Sequence, residues 1–198
     1  MGFAQTYAWT QDQSFLRTAR GCADLLLQKL AAYEGRHHHP YALPWDFDAP
    51  YASDGEPHRD SSAAMAAAVG LVHLHACLMG TPLAGNAQQS PGEDAYDGRF
   101  LDTAIRIAEE TLDLCLDNDF ASFTRDEIQA VDIKVGATDQ DETYSIHESS
   151  FDAILRHATA QNCPHAFKRV ADHGSVYADY FLLELGNLLL DLEQSGST

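Results

Sequence analysis

Apolar residues recur at intervals of three and four through most of this chain. Only a helix turns that spacing into one continuous face, so the periodicity limits the fold more than any other feature. From Gln11 to Glu34, the series Phe15, Leu16, Ala19, Cys22, Ala23, Leu26, Leu27, Leu30 and Ala31 marks one side of a long amphipathic helix, which Gly35 closes. The spacing predicts a small-residue helix from about Asp60 to Met79, stopped by Gly80, Thr81 and Pro82. A third runs from Arg99 to Asn118, with Glu109, Glu110 and Asp113 on its wet side, and a last one from Val176 to Glu193. Phe3, Ala4 and Tyr7 suggest the tail of a helix that starts before Met1, and a short helix is expected over Ser150 to Ala160. Residues 83–98 and 119–148 read as surface loops, with an extended piece at Val131 to Val135. No set of strands is strong enough to build a sheet. The expected architecture over residues 1–198 is therefore a single all-α domain of antiparallel hairpins, and the lack of a crisp repeat favours a toroid over a solenoid.

Composition excludes several classes of partner. With 198 residues, 45% of them hydrophobic, the chain can bury a sizeable core. Its 12 basic and 30 acidic residues give a formal charge of -18, which repels phosphate backbones and anionic lipids, so neither nucleic acid nor membrane is an expected partner. An acidic sugar is repelled at long range too, so a uronic acid needs a local cationic pocket. Cys22, Cys77, Cys115 and Cys163 are dispersed without CxxC spacing, and read as buried free thiols of a cytoplasmic protein. No apolar stretch is expected to span a bilayer and no signal peptide is visible. Met1 to Thr6 formally matches a myristoylation pattern, which is set aside because Gly2 leads straight into helix.

The chemistry-bearing residues gather around two helix starts. Trp45, Asp46, Phe47 and Asp48 alternate bulk with charge between Pro44 and Pro50, so an extended loop would set Asp46 and Asp48 on one side and the aromatic rings on the other. The aspartates are either a carboxylate pair or a turn cap and an ion-pair partner. Arg59, Asp60, Ser61 and Ser62 place a cation and three N-cap candidates at the head of the Ala-rich helix, a junction suited to holding an anion. Asp172, His173, Gly174 and Ser175 repeat the pattern before Tyr177. Helices of one layer in a barrel begin at one rim, so the two starts are expected to line one pocket, with Trp45 and Tyr177 as sugar-stacking or hydrogen-bonding surfaces. Ordinary capping and buried aromatic packing account for the same residues. His37, His38 and His39 read as a solvated turn rather than a metal site, since consecutive residues cannot all face one ion. Of His73 and His75, one is expected to be a hydrogen-bonded core group. No metal and no cofactor is expected.

Three blocks carry a family resemblance: Gly2-Phe3-Ala4-Gln5-Thr6-Tyr7 through Phe15-Leu16; Pro44-Trp45-Asp46-Phe47-Asp48-Ala49-Pro50 with Arg59-Asp60-Ser61-Ser62-Ala63-Ala64; and Ile154 to Thr159 with Asp172 to Glu184. They resemble the unsaturated glucuronyl hydrolases of glycoside hydrolase family 88, the first block looking like the helix that follows that family's Trp-Ser-Arg-Gly-Gln-Ala-Trp motif. The resemblance implies an (α/α)6 barrel. It also implies a hydrolase in which an aspartic acid protonates C4 of a C4–C5 double bond in an unsaturated uronic acid, water adds at C5, and the hemiketal opens to release the partner sugar. The family's essential aspartates lie upstream of the helix that Gly2 to Tyr7 matches. The resemblance therefore implies a C-terminal half, about five or six of the twelve barrel helices. It supplies no catalytic residue, and the chain is expected to be inactive alone. Trp45, Asp46, Asp48, Arg59, His173 and Tyr177 are its pocket candidates, with Arg59 as counter-charge to the aspartates. The implied partner is an oligosaccharide ending in an unsaturated uronic acid, bound once the barrel is completed. The alternative is a non-catalytic helical module that binds a sugar or a protein through the Trp45 and Tyr177 rim.

Overall fold

The structure, a computed structural model, describes residues 1–49, 57–81, 96–119, 122–125, 144–147, 151–163 and 165–196. It divides into two units. The larger comprises Met1–Leu116 with Ala153–Thr198, and the smaller Asp117–Asp152.

In the larger unit α1 spans Gly2–Thr10, α2 Gln13–Tyr33, α3 Ser61–Met79, α4 Arg99–Cys115 and α5 Val176–Gly196. Local chemistry sets their ends. Gln11 adopts a left-handed φ of 58° and donates its N–H to the Tyr7 carbonyl, and Asp12 then caps α2 by accepting from Ser14 N at 2.8 Å. Gly35 at φ 81° follows α2, Gly80 at φ 69° closes α3, and Gly98 at φ 84° opens α4.

α3 is the centre of this unit and packs against α1, α2, α4 and α5. It is long and apolar enough to cross a membrane, contrary to the expectation that no stretch would be. Ala64, Met65, Ala68, Val69, Val72 and Leu74 are nevertheless buried against the surrounding helices, as befits a core helix. A Cβ added at Gly70 would meet the Met1 backbone nitrogen at 2.7 Å, so the bare glycine is what lets the chain start lie against α3.

His73 and His75 point to different partners. Gln5 Nε2 lies 3.3 Å from His73 Nε2, and His75 Nδ1 lies 3.2 Å from the Tyr96 hydroxyl. Burial depresses both imidazoles below their ordinary value, with the Met1 ammonium pushing His73 the same way and Asp102 opposing for His75. The sign follows: the unfolded chain takes up these protons first, so stability falls as pH drops below about 6.5, until the depressed folded values are reached. Urea unfolding across that range should show the loss, and His73→Gln should flatten it. A slope unchanged in that variant would assign the loss elsewhere.

Cys77 and Cys115 are buried as expected, but Cys22 and Cys163 are exposed, because Cys22 lies off the buried face of α2 and Cys163 lies outside the helices. Desolvation pushes the Cys115 thiol up to about 12. Alkylation of the native protein at pH 8 should therefore label Cys22 and Cys163 and spare Cys77 and Cys115 until denaturant is added. Mass spectrometry reads the result, and native-state labelling of Cys115 would contradict the packing.

The smaller unit contains an antiparallel pair, β1 at Ser122–Arg125 and β2 at Tyr144–His147, with Ser122 opposite His147. Two four-residue strands thus stand in a region expected to be loop; the piece expected at Val131 to Val135 and most of the 83–98 loop lie outside the described residues. The helix expected over Ser150 to Ala160 does not form. Asp179 accepts the N–H groups of Ile154 and Leu155 at 3.0–3.1 Å, and Cys115 O accepts from Arg156 N at 2.7 Å. These tertiary bonds claim the donors that a helix would use.

Candidate functional site

Two short ribbons meet at the head of α3. In the first, Pro44 bridges Arg59 in antiparallel fashion, Trp45 N donates to His58 O at 2.8 Å, and Asp60 N donates to Leu43 O at 2.9 Å. In the second, Ala158 bridges His173 and Gln161 bridges Val170 in a single antiparallel register. Thr159 joins them. Its hydroxyl donates to Arg59 O at 2.8 Å and accepts from Asp172 N at 3.4 Å, while Ser61 N donates to His157 O at 3.1 Å. Asp60 sits at the junction as the α3 N-cap, buried, accepting from Ser62 N, Ala63 N and the Ser62 hydroxyl at 3.1, 3.3 and 2.6 Å.

A cleft of about 310 Å3 opens over this junction, lined by His38, His39, Pro57, His58, Arg59, Leu114, His157, Thr159 and Asp172. The loop supplying His38 and His39 is held from two sides. Tyr41 N donates to Glu110 at 2.6 Å and its ring lies 3.7 Å beneath the Arg106 guanidinium, which also pairs with Glu34 at 3.0 Å. Arg59 Nη1 donates to the carbonyls of His39 and Ala42 at 2.7 and 2.6 Å. Across the cleft, His157 Nδ1 and Asp172 Oδ1 are 2.5 Å apart. Both residues hold a left-handed backbone, at φ 63° and 56°, a conformation uncommon outside glycine, although Asp and His adopt it more readily than most residues. Cys115 lies within electrostatic reach of Arg59, Asp172 and Asp60.

The two polar helix starts therefore do line one cleft, with Arg59 from one and Asp172 from the other. Arg59 is not the counter-charge of the acidic loop. Asp48 pairs with Lys29 of α2 at 2.8 Å, and Asp46 accepts from Asp48 N at 2.9 Å, so one aspartate binds a cation and the other caps a turn. The physical reason is reach: Arg59 already serves two loop carbonyls, and Lys29 projects from α2 toward Asp48. Trp45 is half-buried and Tyr177 exposed, and neither lines the cleft. His173 is bonded through its backbone to Ala158, with Nδ1 on Gly174 O; its Nε2 is buried without a partner among the described residues. Sequence reasoning missed His58, His157 and the exposed-loop histidines as one group. Spacing carries no signal for side chains gathered from three distant segments. Among the described residues no cluster of three or more His, Cys, Asp or Glu has the geometry to hold a metal ion.

No family model matches the chain, and no curated protein does. A solved structure does: an unsaturated glucuronyl hydrolase variant with dGlcA-Glc-Rha-Glc, which superposes on 95% of this chain at a TM-score of 0.56 and 19% identity. The fold is that of part of a six-hairpin glycosidase. This chain spans 36% of the length of that one, so its helices form a partial helical barrel. At that identity the likeness concerns fold, and the chemistry rests on the cleft.

Proposed function

We propose that this chain is the barrel segment of a carbohydrate-active hydrolase of the unsaturated glucuronyl type, glycoside hydrolase family 88, and that its cleft receives the acidic end of an oligosaccharide. One observation carries the reading. In a chain of formal charge -18, a guanidinium and four imidazoles gather around a single carboxylate, Asp172, which is itself paired with His157. The Arg59 guanidinium and the four imidazole rings give this lining the hydrogen-bond donors that a uronate carboxylate requires. The neighbour's oligosaccharide, which begins with dGlcA, supplies the class of ligand.

In this role Arg59 and the imidazole donors hold the carboxylate, and Asp172 fixes the His157 ring so that its other nitrogen faces a sugar hydroxyl or water. The reaction assigned to the whole enzyme is hydration of the C4–C5 double bond, for which this segment supplies binding and orientation. Calorimetric titration with an unsaturated hyaluronan or chondroitin disaccharide should give saturable binding, while the double-bond absorbance stays constant. Absence of binding would remove the sugar-site reading, and loss of absorbance would place the acid chemistry within this chain.

A further inference from the structure

The strap from Ile154 to His157 is held by three helix ends in succession. Asp179, in the first turn of α5, accepts from Ile154 N through both carboxylate oxygens at 3.1 and 3.0 Å, and from Leu155 N at 3.0 Å. The carbonyl of Cys115, the last residue of α4, accepts from Arg156 N at 2.7 Å, and Ser61 N, at the start of α3, donates to His157 O at 3.1 Å. That carbonyl and that N–H are groups a helix end leaves without an intrahelical partner, so the strap completes α3 and α4 while they fix its path. Leu155 is fully buried and bridges Leu116.

The attachments lead straight to the cleft. His157 turns left-handed at φ 63°, and its ring lines the cleft with Nδ1 2.5 Å from Asp172 Oδ1. Only Arg156 separates it from Leu155, so a slip of the strap against α5 passes directly to the imidazole. Asp179 is not among the residues that line the cleft. We infer that Asp179 is a positioning residue, holding through the Ile154 and Leu155 N–H groups the strap that sets the His157 ring against Asp172. The placement of the ring stands on these hydrogen bonds; its consequence for an acidic sugar rests on the function proposed above.

Two substitutions and two readouts test it. Asp179→Ala removes the acceptor, whereas Asp179→Asn keeps one oxygen that can still serve both N–H groups. In the folded protein the side-chain nitrogen resonances of His157 should shift in Asp179→Ala and return most of the way in Asp179→Asn, while those of His75, beside Tyr96, stay in place. Leu185→Ala, at a buried position farther along α5, controls for destabilisation: it should lower the urea midpoint and leave the His157 signals unchanged. Affinity for the unsaturated disaccharide should fall about three- to tenfold in Asp179→Ala, and less than about twofold when the same change is made in His157→Gln, because a residue that acts through the ring has no effect once the ring is gone. His157 signals unmoved by Asp179→Ala, or moved as far by Leu185→Ala, would overturn the assignment. A binding loss of equal size in the His157→Gln background would do the same. Where Asp179→Ala does not fold, Asp179→Asn carries the test, with a smaller displacement of the His157 signals expected and none contradicting it. Failure of the unsubstituted chain to bind the disaccharide would remove the sugar reading, and the ring signals would still decide the role of Asp179.

Discussion

Asp60→Ala is expected to destabilise the larger unit by about 2–4 kcal/mol, read as a lowered urea midpoint at constant slope. An ordinary surface N-cap contributes about 1 kcal/mol. Asp60 exceeds that because it is buried and its carboxylate also accepts from the Ser62 hydroxyl and, at 3.4 Å, from Thr159 N in the second ribbon. Its removal leaves several enclosed donors without an acceptor at once. Asp60→Asn keeps one acceptor oxygen and should recover about half of the loss. A change below about 0.5 kcal/mol in Asp60→Ala would mean that the ribbons meet without help from this side chain.

Arg59→Lys should have the largest effect on ligand binding, at least about tenfold in affinity for the unsaturated disaccharide, with a smaller stability loss of about 1–3 kcal/mol. A guanidinium can donate to the His39 and Ala42 carbonyls while presenting charge to the cleft; an ammonium on a flexible stem cannot hold that fork. The two readouts separate its roles. Affinity lost in step with stability would reduce Arg59 to a loop clamp, whereas affinity lost in a variant that remains folded under assay conditions assigns it to the ligand. His157→Gln provides the companion measurement, since it removes the imidazole ring opposite without touching the clamp.

Much of the helical architecture was legible because its determinants are local. The three-and-four spacing of Phe15 to Leu30, the Asp60 cap and the glycine stops at Gly35 and Gly80 each act within one or two turns, and the observed helices begin and end within about three residues of where those signals fall. The stretch from Ser150 to Ala160 misled for the opposite reason. Its apolar pattern suits a helix, yet Asp179 and the Cys115 carbonyl, both distant in sequence, take its N–H groups, and His157 turns left-handed.

The site divides along the same line. That Arg59 and Asp172 would share a rim followed from two similar helix starts in a helical toroid. That His38, His39, His58 and His157 would join them did not, because only the two ribbons bring those segments together. Asp46 and Asp48 attracted attention as adjacent carboxylates, but adjacency let one cap the other's N–H, and Lys29 from the preceding helix took what remained. Their exposure and pairing suit them to anchoring the loop on α2.

On the function proposed above, the cleft between the two ribbons binds the acidic end of an oligosaccharide. Isotope-edited NMR titration of the purified chain with dGlcA-Glc-Rha-Glc tests it most directly. The imidazole resonances of His58 and His157 should move saturably with that oligosaccharide and stay still with the neutral Glc-Rha-Glc portion alone. Resonances that do not move, that respond equally to both sugars, or that shift only outside the cleft would contradict it.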